Sequence, residues 1–395
     1  MRIGMILDKT FPPDPRVENE AVSLIKAGHK VFLFCLTYGG EAVLETINNI
    51  EVRRYTSNKI IYKFSALVYT VPVYNFIMKQ KIAHFLKENN IEAIHIHDMQ
   101  IAEAVFSANS NFNLPTVLDL HDNMPEVIKF YPHLQKFPGK YLISPKKWKK
   151  KEANFIKKAT KVCTVSPEFI EDIKKRLNTE ANKLVLVPNA VRKSFYTNAK
   201  IENSIVEKYK ENFVLLYLGD TAIRRGLLTA IRALPKLKTS IPTIKLVIVG
   251  TNTTDYILKN EVEKLRISHL VDFEGWQNVN KFPSYIKASD ICISPLYRNA
   301  QHNVAYANKL FQYMSFSKPV LVSNATAQKK LVENNNLGLV HIEKDITHFN
   351  EKVLKLYNNE ALRKELGNNG KDFIENTFNW EKTSKNLIAL YQNLN

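Results

Sequence analysis

Two clusters of histidine and carboxylate stand where apolar runs end. Ala93-Ile-His95-Ile-His97 closes on Asp98, and Val117–Leu120 runs into His121 and Asp122, with Glu126 four residues on. Imidazoles beside carboxylates can orient or polarise a hydroxyl, move a proton or ligate a metal. A metal needs three or four converging ligands, which spacing alone leaves open, and each histidine alone also fits a capping or core role. A third candidate is Leu7-Asp-Lys-Thr-Phe-Pro-Pro-Asp14-Pro-Arg16. Here a strand end meets a proline-stiffened loop and a helix start, whose free N–H groups favour anions. Asp14 and Arg16 either contact a ligand there or, with Pro15, only cap and begin the helix. A fourth is Leu218-Gly219-Asp220-Thr-Ala-Ile-Arg224-Arg225-Gly226. It is neither G-x-G-x-x-G nor a Walker loop. Two guanidiniums beside a helix start suit a diphosphate, because arginine binds phosphate bidentately. A solvated loop is the bland alternative. The fifth is Ser294-Pro295-Leu-Tyr297, followed by Tyr306-Ala-Asn308-Lys309-Leu310-Phe-Gln312. A lysine near a helix N-terminus is disfavoured by the dipole and makes sense if it meets a phosphate.

These residues need elements to hold them. Short β-branched runs alternate with longer amphipathic stretches. The first half reads as strands at 3–7, 30–36, 93–96, 116–120, 162–165 and 184–187. The second reads as strands at 214–218, 245–249, 271–274, 291–294, 320–323 and 339–342. Apolar strands joined by helices predict parallel sheets covered on both faces. The polar, strand-poor stretch 189–213 is the candidate linker, after which the pattern restarts. The fold class is therefore α/β, with two doubly wound, Rossmann-like domains. In such sheets ligands gather at the carboxyl ends of strands, which points to the loops after Leu7, Ile96, Leu120, Leu218, Val249 (Gly250) and Ser294.

The chain has 395 residues, 45% hydrophobic and 24% charged, which excludes fibrous, disordered and disulfide-scaffold classes. Its net charge of +18 asks for an anionic partner. The excess is uneven: residues 129–161 hold eleven lysines against one acid, Glu152. Within it lies Lys146-Lys147-Trp148-Lys149-Lys150-Lys151. Lysines interleaved with aromatics fit an interfacial segment on anionic lipid, with a solvated helix face as the alternative. No recognition motif supports nucleic acid as the partner. Cys35, Cys163 and Cys292 sit in apolar runs and read as buried thiols. No signal peptide and no transmembrane helix are expected.

Taken together, the motifs resemble the retaining, GT-B-fold glycosyltransferases of family 4 (group 1 glycosyltransferases). FPPDPRVENEAVSLIKAGHKV is similar to that family's first loop and helix. LYLGDTAIRRGLLTAIRAL is similar to its donor-phosphate unit, and VDFEGWQNVNKFPSYIKASDICISPL to the segment passing the nucleotide base. NKLFQYMSFSKPVLVS resembles the branch reading N-K-L-F-E-Y-M, and Phe378-Asn-Trp380-Glu381 the start of a helix crossing back to the first domain. The resemblance spans the whole chain. It implies two facing domains: 1–195 with 378–395 for the acceptor, and 196–377 for a nucleotide-sugar donor, probed first with UDP- and GDP-sugars.

Carried over by position, Arg225 and Lys309 approach the diphosphate and His121 the reacting sugar. Gly219, Asp220, Arg224, Gly250, Trp276, Pro295, Tyr297, Asn308, Leu310 and Gln312 form the donor side. Asp14, Arg16, His97 and Asp98 form the acceptor side. Lys146, Lys147, Trp148, Lys149, Lys150 and Lys151 face a membrane. Departures are Asp220 in place of an arginine, Val304 and Gln312 in place of a glutamate pair, and Ser317 in place of a glycine. The expected reaction moves a sugar, with retention and with neither metal nor other cofactor, to a lipid-linked or cell-surface glycan. The expected location is cytoplasmic, peripheral to the inner face of the plasma membrane. A sugar-nucleotide epimerase, or a non-catalytic sugar-nucleotide or lipid-binding protein, is the alternative.

Overall fold

A computed structural model describes residues 1–131, 134, 137 and 139–394, without the side chains of Lys59 and Lys63. Lys136 of the basic segment and Asn395 lie outside the described residues. The chain divides into two units: 1–189 together with the segment starting at Ser384, and Ala190–Thr383. The sequence-based boundaries lie six residues away at each junction. The physical reason is local: Trp380 N–H donates to Val191 O at 2.9 Å, beside a Val191–Asn379 bridge, tying both segments into the second unit.

The first unit holds an eight-stranded sheet in the order β3-β4-β2-β1-β5-β6-β7-β8. The strands are β1 (Arg2–Ile6), β2 (Lys30–Thr37), β3 (Leu44–Ile47), β4 (Ile50–Thr56), β5 (Ala93–His97), β6 (Thr116–Leu120), β7 (Lys161–Thr164) and β8 (Leu184–Leu186). All neighbours are parallel except β3 against β4. That edge hairpin was not anticipated. Its turn, Asn48-Asn49, has φ of 50° and 64°, the left-handed pair a two-residue hairpin requires. Helix α1 (Pro15–Lys26) starts where Asp14 Oδ1 accepts from Val17 N–H at 3.2 Å, with Pro15 in the first turn. Helix α2 (Lys59–Ser65) follows β4.

Helix α3 (Pro145–Lys158) is amphipathic. Trp148, Glu152, Phe155 and Ile156 recur on one stripe and are buried, while most lysines face out. Trp148 packs edge-on against Tyr69 at 4.8 Å, and Glu152 pairs with Arg176 at 3.0 Å on α4 (Pro167–Leu177). The terminal helix Lys385–Gln392 also belongs to this unit, with Asn386 Nδ2 donating to Leu186 O at 3.0 Å.

The second unit holds a six-stranded, all-parallel sheet in the order β11-β10-β9-β12-β13-β14. Its strands are β9 (Phe213–Leu218), β10 (Ile244–Val249), β11 (Val271–Gly275), β12 (Ile291–Ser294), β13 (Val320–Ser323) and β14 (Gly338–His341). Alternate residues build two cores. Leu215, Tyr217, Leu246 and Ile293 pack on one face with Leu227, Ile231 and Leu234 of α5 (Leu227–Ser240). Val214, Leu216, Val247 and Cys292 pack on the other with Leu310, Phe311 and Met314 of α6 (Lys309–Met314). The three cysteines are buried and free. Among the described residues, no helix is long and apolar enough to cross a membrane.

Candidate functional site

In the second unit the strand ends bring three of the expected loops together. Tyr297 N–H donates to Arg224 O at 3.0 Å, closing the loop after β12 onto the loop after β9. Gly226 permits this approach. Its φ is 79°, and a Cβ there would lie 1.8 Å from Pro295 O. Gly250, at φ 140°, likewise lies where a Cβ would meet Gly219 O at 2.0 Å. It shapes the floor of the site.

Lys309 dominates the floor. It is 9% exposed, its Nζ lies 3.3 Å from the centroid of the Tyr217 ring, and it has no hydrogen-bond partner among the described residues. A Cβ on Gly219 would stand 3.6 Å from that Nζ. Burial, and then the field of Arg225, hold Lys309 well below the ordinary lysine range. A buried cation without a counter-ion is costly, so its presence points to an anion that arrives from outside.

The two arginines share Asp220. Arg225 Nε donates to Asp220 Oδ2 at 3.1 Å, and Arg224 lies 3.6 Å from the same oxygen. Asn252 Nδ2 donates to Asp220 Oδ1 at 2.7 Å. Burial pushes Asp220 up, but Arg225 outweighs it and the carboxylate stays below its usual value. Asp220 thus braces the arginines. Arg224 also meets His302 Nε2 at 3.3 Å, and His302 Nδ1 lies 2.7 Å from Tyr297 O. A guanidinium only donates, so Nε2 accepts and the proton sits on Nδ1, donating to Tyr297 O. Burial and the neighbouring Arg225 and Arg224 push His302 down to about 4. His302 and Tyr217 escaped the sequence reading, since neither falls in a recognisable spacing.

The other donor-side residues divide by exposure. Leu310, placed on the donor side by the resemblance, is a core residue with no exposed surface, so its side chain contacts no ligand. Asn308 is exposed at the α6 start, Gln312 is half-buried, and Trp276 is 74% exposed after β11.

In the first unit, β5 and β6 lie side by side with His97 opposite Asp119. Asp119, an acid inside the apolar run Thr116–Leu120, is the centre that the reading missed. Arg16 grips it bidentately, Nε to Oδ2 at 2.9 Å and the second amino group to Oδ1 at 2.6 Å, and also pairs with Glu20 at 3.0 Å. His121 Nε2 meets Asp119 Oδ2 at 2.6 Å, and its Nδ1 lies 3.4 Å from Asp98. His95 pairs with Glu20 at 3.1 Å, and its Nδ1 lies 2.8 Å from Tyr391 OH on the terminal helix.

The charges follow. Burial lowers His121, but Asp98 and Asp119 outweigh it and raise the imidazole to about 9. Burial would raise Asp119, yet Arg16 and His121 hold it well below the carboxylate range. Burial holds His97 low. Arg16 is 6% exposed and His97 not at all. Both were placed on the acceptor side; the structure makes them interior members of an ion-pair network. Asp14 and Asp98 remain partly exposed, as does His121.

Glu20, His95, His97 and Asp119 offer ligand atoms within 4.8 Å of one another, a metal-type set. Arg16 already lies against both carboxylates, so a cation there would compete with a fixed guanidinium.

The residues expected to face a membrane also divide. Lys146, Lys147, Lys149 and Lys150 are exposed, and Lys151 pairs with Glu103. Trp148 is 3% exposed and belongs to the core, because it lies on the apolar stripe of α3.

Comparison with known proteins accords with this geometry. Residues 16–195 match the family model "Glycosyltransferase Family 4", and residues 199–373 match "Glycosyl transferases group 1". Among curated relatives, the capsular polysaccharide biosynthesis glycosyltransferase CapM of Staphylococcus aureus is 24% identical over 194 residues, 49% of this chain and 50% of that protein. The match thus spans about half of CapM. An uncharacterized glycosyltransferase of Methanocaldococcus jannaschii is 21% identical across 99% of this chain and 98% of its own. Among solved structures, sucrose-phosphate synthase of Thermosynechococcus elongatus superposes with a TM-score of 0.80 at 17% identity, covering 100% and 98% of the two chains. Anabaena HepE, solved with UDP and glucose, gives 0.75 at 15% identity, with 99% of each chain covered. The protein is a glycosyltransferase of the GT-B type, in which a family 4 domain precedes a group 1 domain.

Proposed function

We propose that the second unit binds a nucleoside-diphosphate sugar, UDP-linked or GDP-linked, and that the sugar passes with retention to a glycan acceptor held by the first unit. The observation that carries this reading is the buried Lys309 ammonium, without a hydrogen-bond partner among the described residues, beside Gly219 and Arg225. As the sugar leaves, negative charge gathers on the β-phosphate, and preorganised cations stabilise it without reorganising. Lys309, Arg224 and Arg225 supply that charge, so no metal is needed for it. Asp220 and His302 hold the arginines in place. His121, an imidazolium at neutral pH, orients a sugar hydroxyl and is no nucleophile. HepE carries UDP and glucose in its crystal structure, and CapM is named for capsular polysaccharide, which favours a sugar donor and a cell-surface glycan.

The acceptor is proposed to be membrane-linked. Ile60, Phe76, Phe137 and Tyr141 are exposed in the first unit. Their segments adjoin where Thr70 donates to Leu142 O at 2.7 Å, and α3 adds Lys146, Lys147, Lys149 and Lys150. Basic residues near an anionic surface contribute about 1 kcal/mol each.

The test is donor turnover over UDP-, GDP- and dTDP-sugars, with Arg225→Ala alongside. Nucleoside diphosphate release from one donor, with donor affinity lost in the variant, supports the reading. Unchanged affinity in Arg225→Ala refutes the phosphate assignment. Vesicle flotation tests the surface: binding should need anionic lipid and reverse with salt.

A further inference from the structure

We propose that a cavity at the carboxyl ends of β1, β2 and β4 binds a neutral sugar ring, the receiving end of the acceptor, and excludes acidic sugars and phosphates. Its acceptor role rests on the transfer reading above; its binding chemistry does not. The cavity has a volume of about 490 Å³ and is lined by Lys9, Thr10, Pro13, Asp14, Tyr38 and Tyr62. That size suits a small ligand. The lining comes from three strand ends: the loop after β1, the residue following β2 and helix α2 after β4.

Two features define the ligand. Tyr38 and Tyr62 are 44% and 46% exposed, and their rings meet at right angles with centroids 6.3 Å apart. Two aromatic faces of this kind offer electron-rich surfaces to the C–H faces of a pyranose, much as an aromatic edge meets an aromatic face. The polar groups are the second feature. Lys9 is the cation among the described lining residues, and it already faces a carboxylate. Its Nζ lies 3.9 Å from Asp98. Burial alone would lower it, but Asp98, Asp8 and Asp14 together outweigh burial and raise it. One ammonium thus faces three carboxyl groups, with the imidazolium of His121 engaged on Asp98 and Asp119. Among the described residues, an incoming carboxylate or phosphate would meet carboxylates already facing that ammonium. A hydroxyl would meet acceptors: Asp14 spends Oδ1 on the cap of α1 and keeps its second oxygen, and Thr10 adds a hydroxyl.

The test uses the full chain and saturation-transfer NMR. The probes are the methyl glycosides of glucose, galactose and mannose, glucuronic acid as its methyl glycoside, and glucose 6-phosphate. At least one neutral glycoside should bind and the two acidic probes should not. The Tyr38→Ala/Tyr62→Ala double variant, altered only at exposed rings, should weaken neutral binding about tenfold or more. Asp14→Asn keeps the helix cap. It should weaken the neutral glycoside and shift preference toward the glucuronide at least fivefold. Acidic probes binding as well as neutral ones, no glycoside binding, or neutral binding untouched in the double variant would each overturn the proposal. UDP and GDP titrated into the same samples separate the readings. Nucleotide without glycoside sinks this inference alone, and glycoside without nucleotide sinks the donor assignment alone.

Discussion

At the scale of single residues, the site keeps charges that folding alone would discard. Lys309→Met preserves length and removes a buried cation that has no hydrogen-bond partner among the described residues. Donor affinity should fall by about 10- to 100-fold, as for the loss of a charge-assisted bond, while the melting temperature without ligand rises. Calorimetric donor titration and a thermal melt check both, and a lower melting temperature would contradict the cost assigned to the ammonium. Because burial holds Lys309 low, an arriving diphosphate should raise it. His121 titrates the opposite way. Its folded value of about 9 exceeds the unfolded 6.5, so its stabilisation is complete below pH 6.5 and is lost as pH rises through 9. The span corresponds to about 3 kcal/mol at most. Urea unfolding at pH 6, 8 and 10 should show this loss in wild type and a flatter profile in His121→Gln.

At the scale of elements, α3 separates packing from charge. Trp148→Ala should cost about 3–5 kcal/mol, because it empties a site sealed by Tyr69. Charge reversal at Lys146, Lys147 and Lys150 should leave the melt unchanged and abolish vesicle binding. Vesicle binding that survives the reversals would remove α3 from the surface. The same helix shows what could be read beforehand. Twelve strands were legible because buried parallel strands write continuous apolar runs. The β3–β4 hairpin was not, because an edge pair rich in Glu and Arg lacks such a run. Gly219, Arg225 and Lys309 were legible from type and position. The burial of Arg16 and His97 was not legible because one-dimensional spacing does not reveal that Asp119 gathers them in the interior. Trp148 was read from its lysine neighbours, when the four-residue step to Glu152 and the seven-residue step to Phe155 mark the buried stripe.

At the scale of the whole molecule, the charge of +18 is uneven, with eleven lysines against one acid in residues 129–161. Donor binding should be felt mainly in one unit. Saturating nucleotide at about 100 times Kd adds about 2.7 kcal/mol to whatever binds it. Hydrogen exchange should therefore slow at 219–226 and 295–309 more than at 93–122, and uniform slowing would argue against a donor site confined to the second unit's loops. The terminal helix carries a different implication. Tyr391 bonds His95 in the heart of the first unit, 296 positions earlier in the chain. During synthesis, the first unit leaves the ribosome with that histidine's partner still unmade. Its polar interior stays incomplete until the second unit has been translated, so the first unit to be made is among the last to be finished.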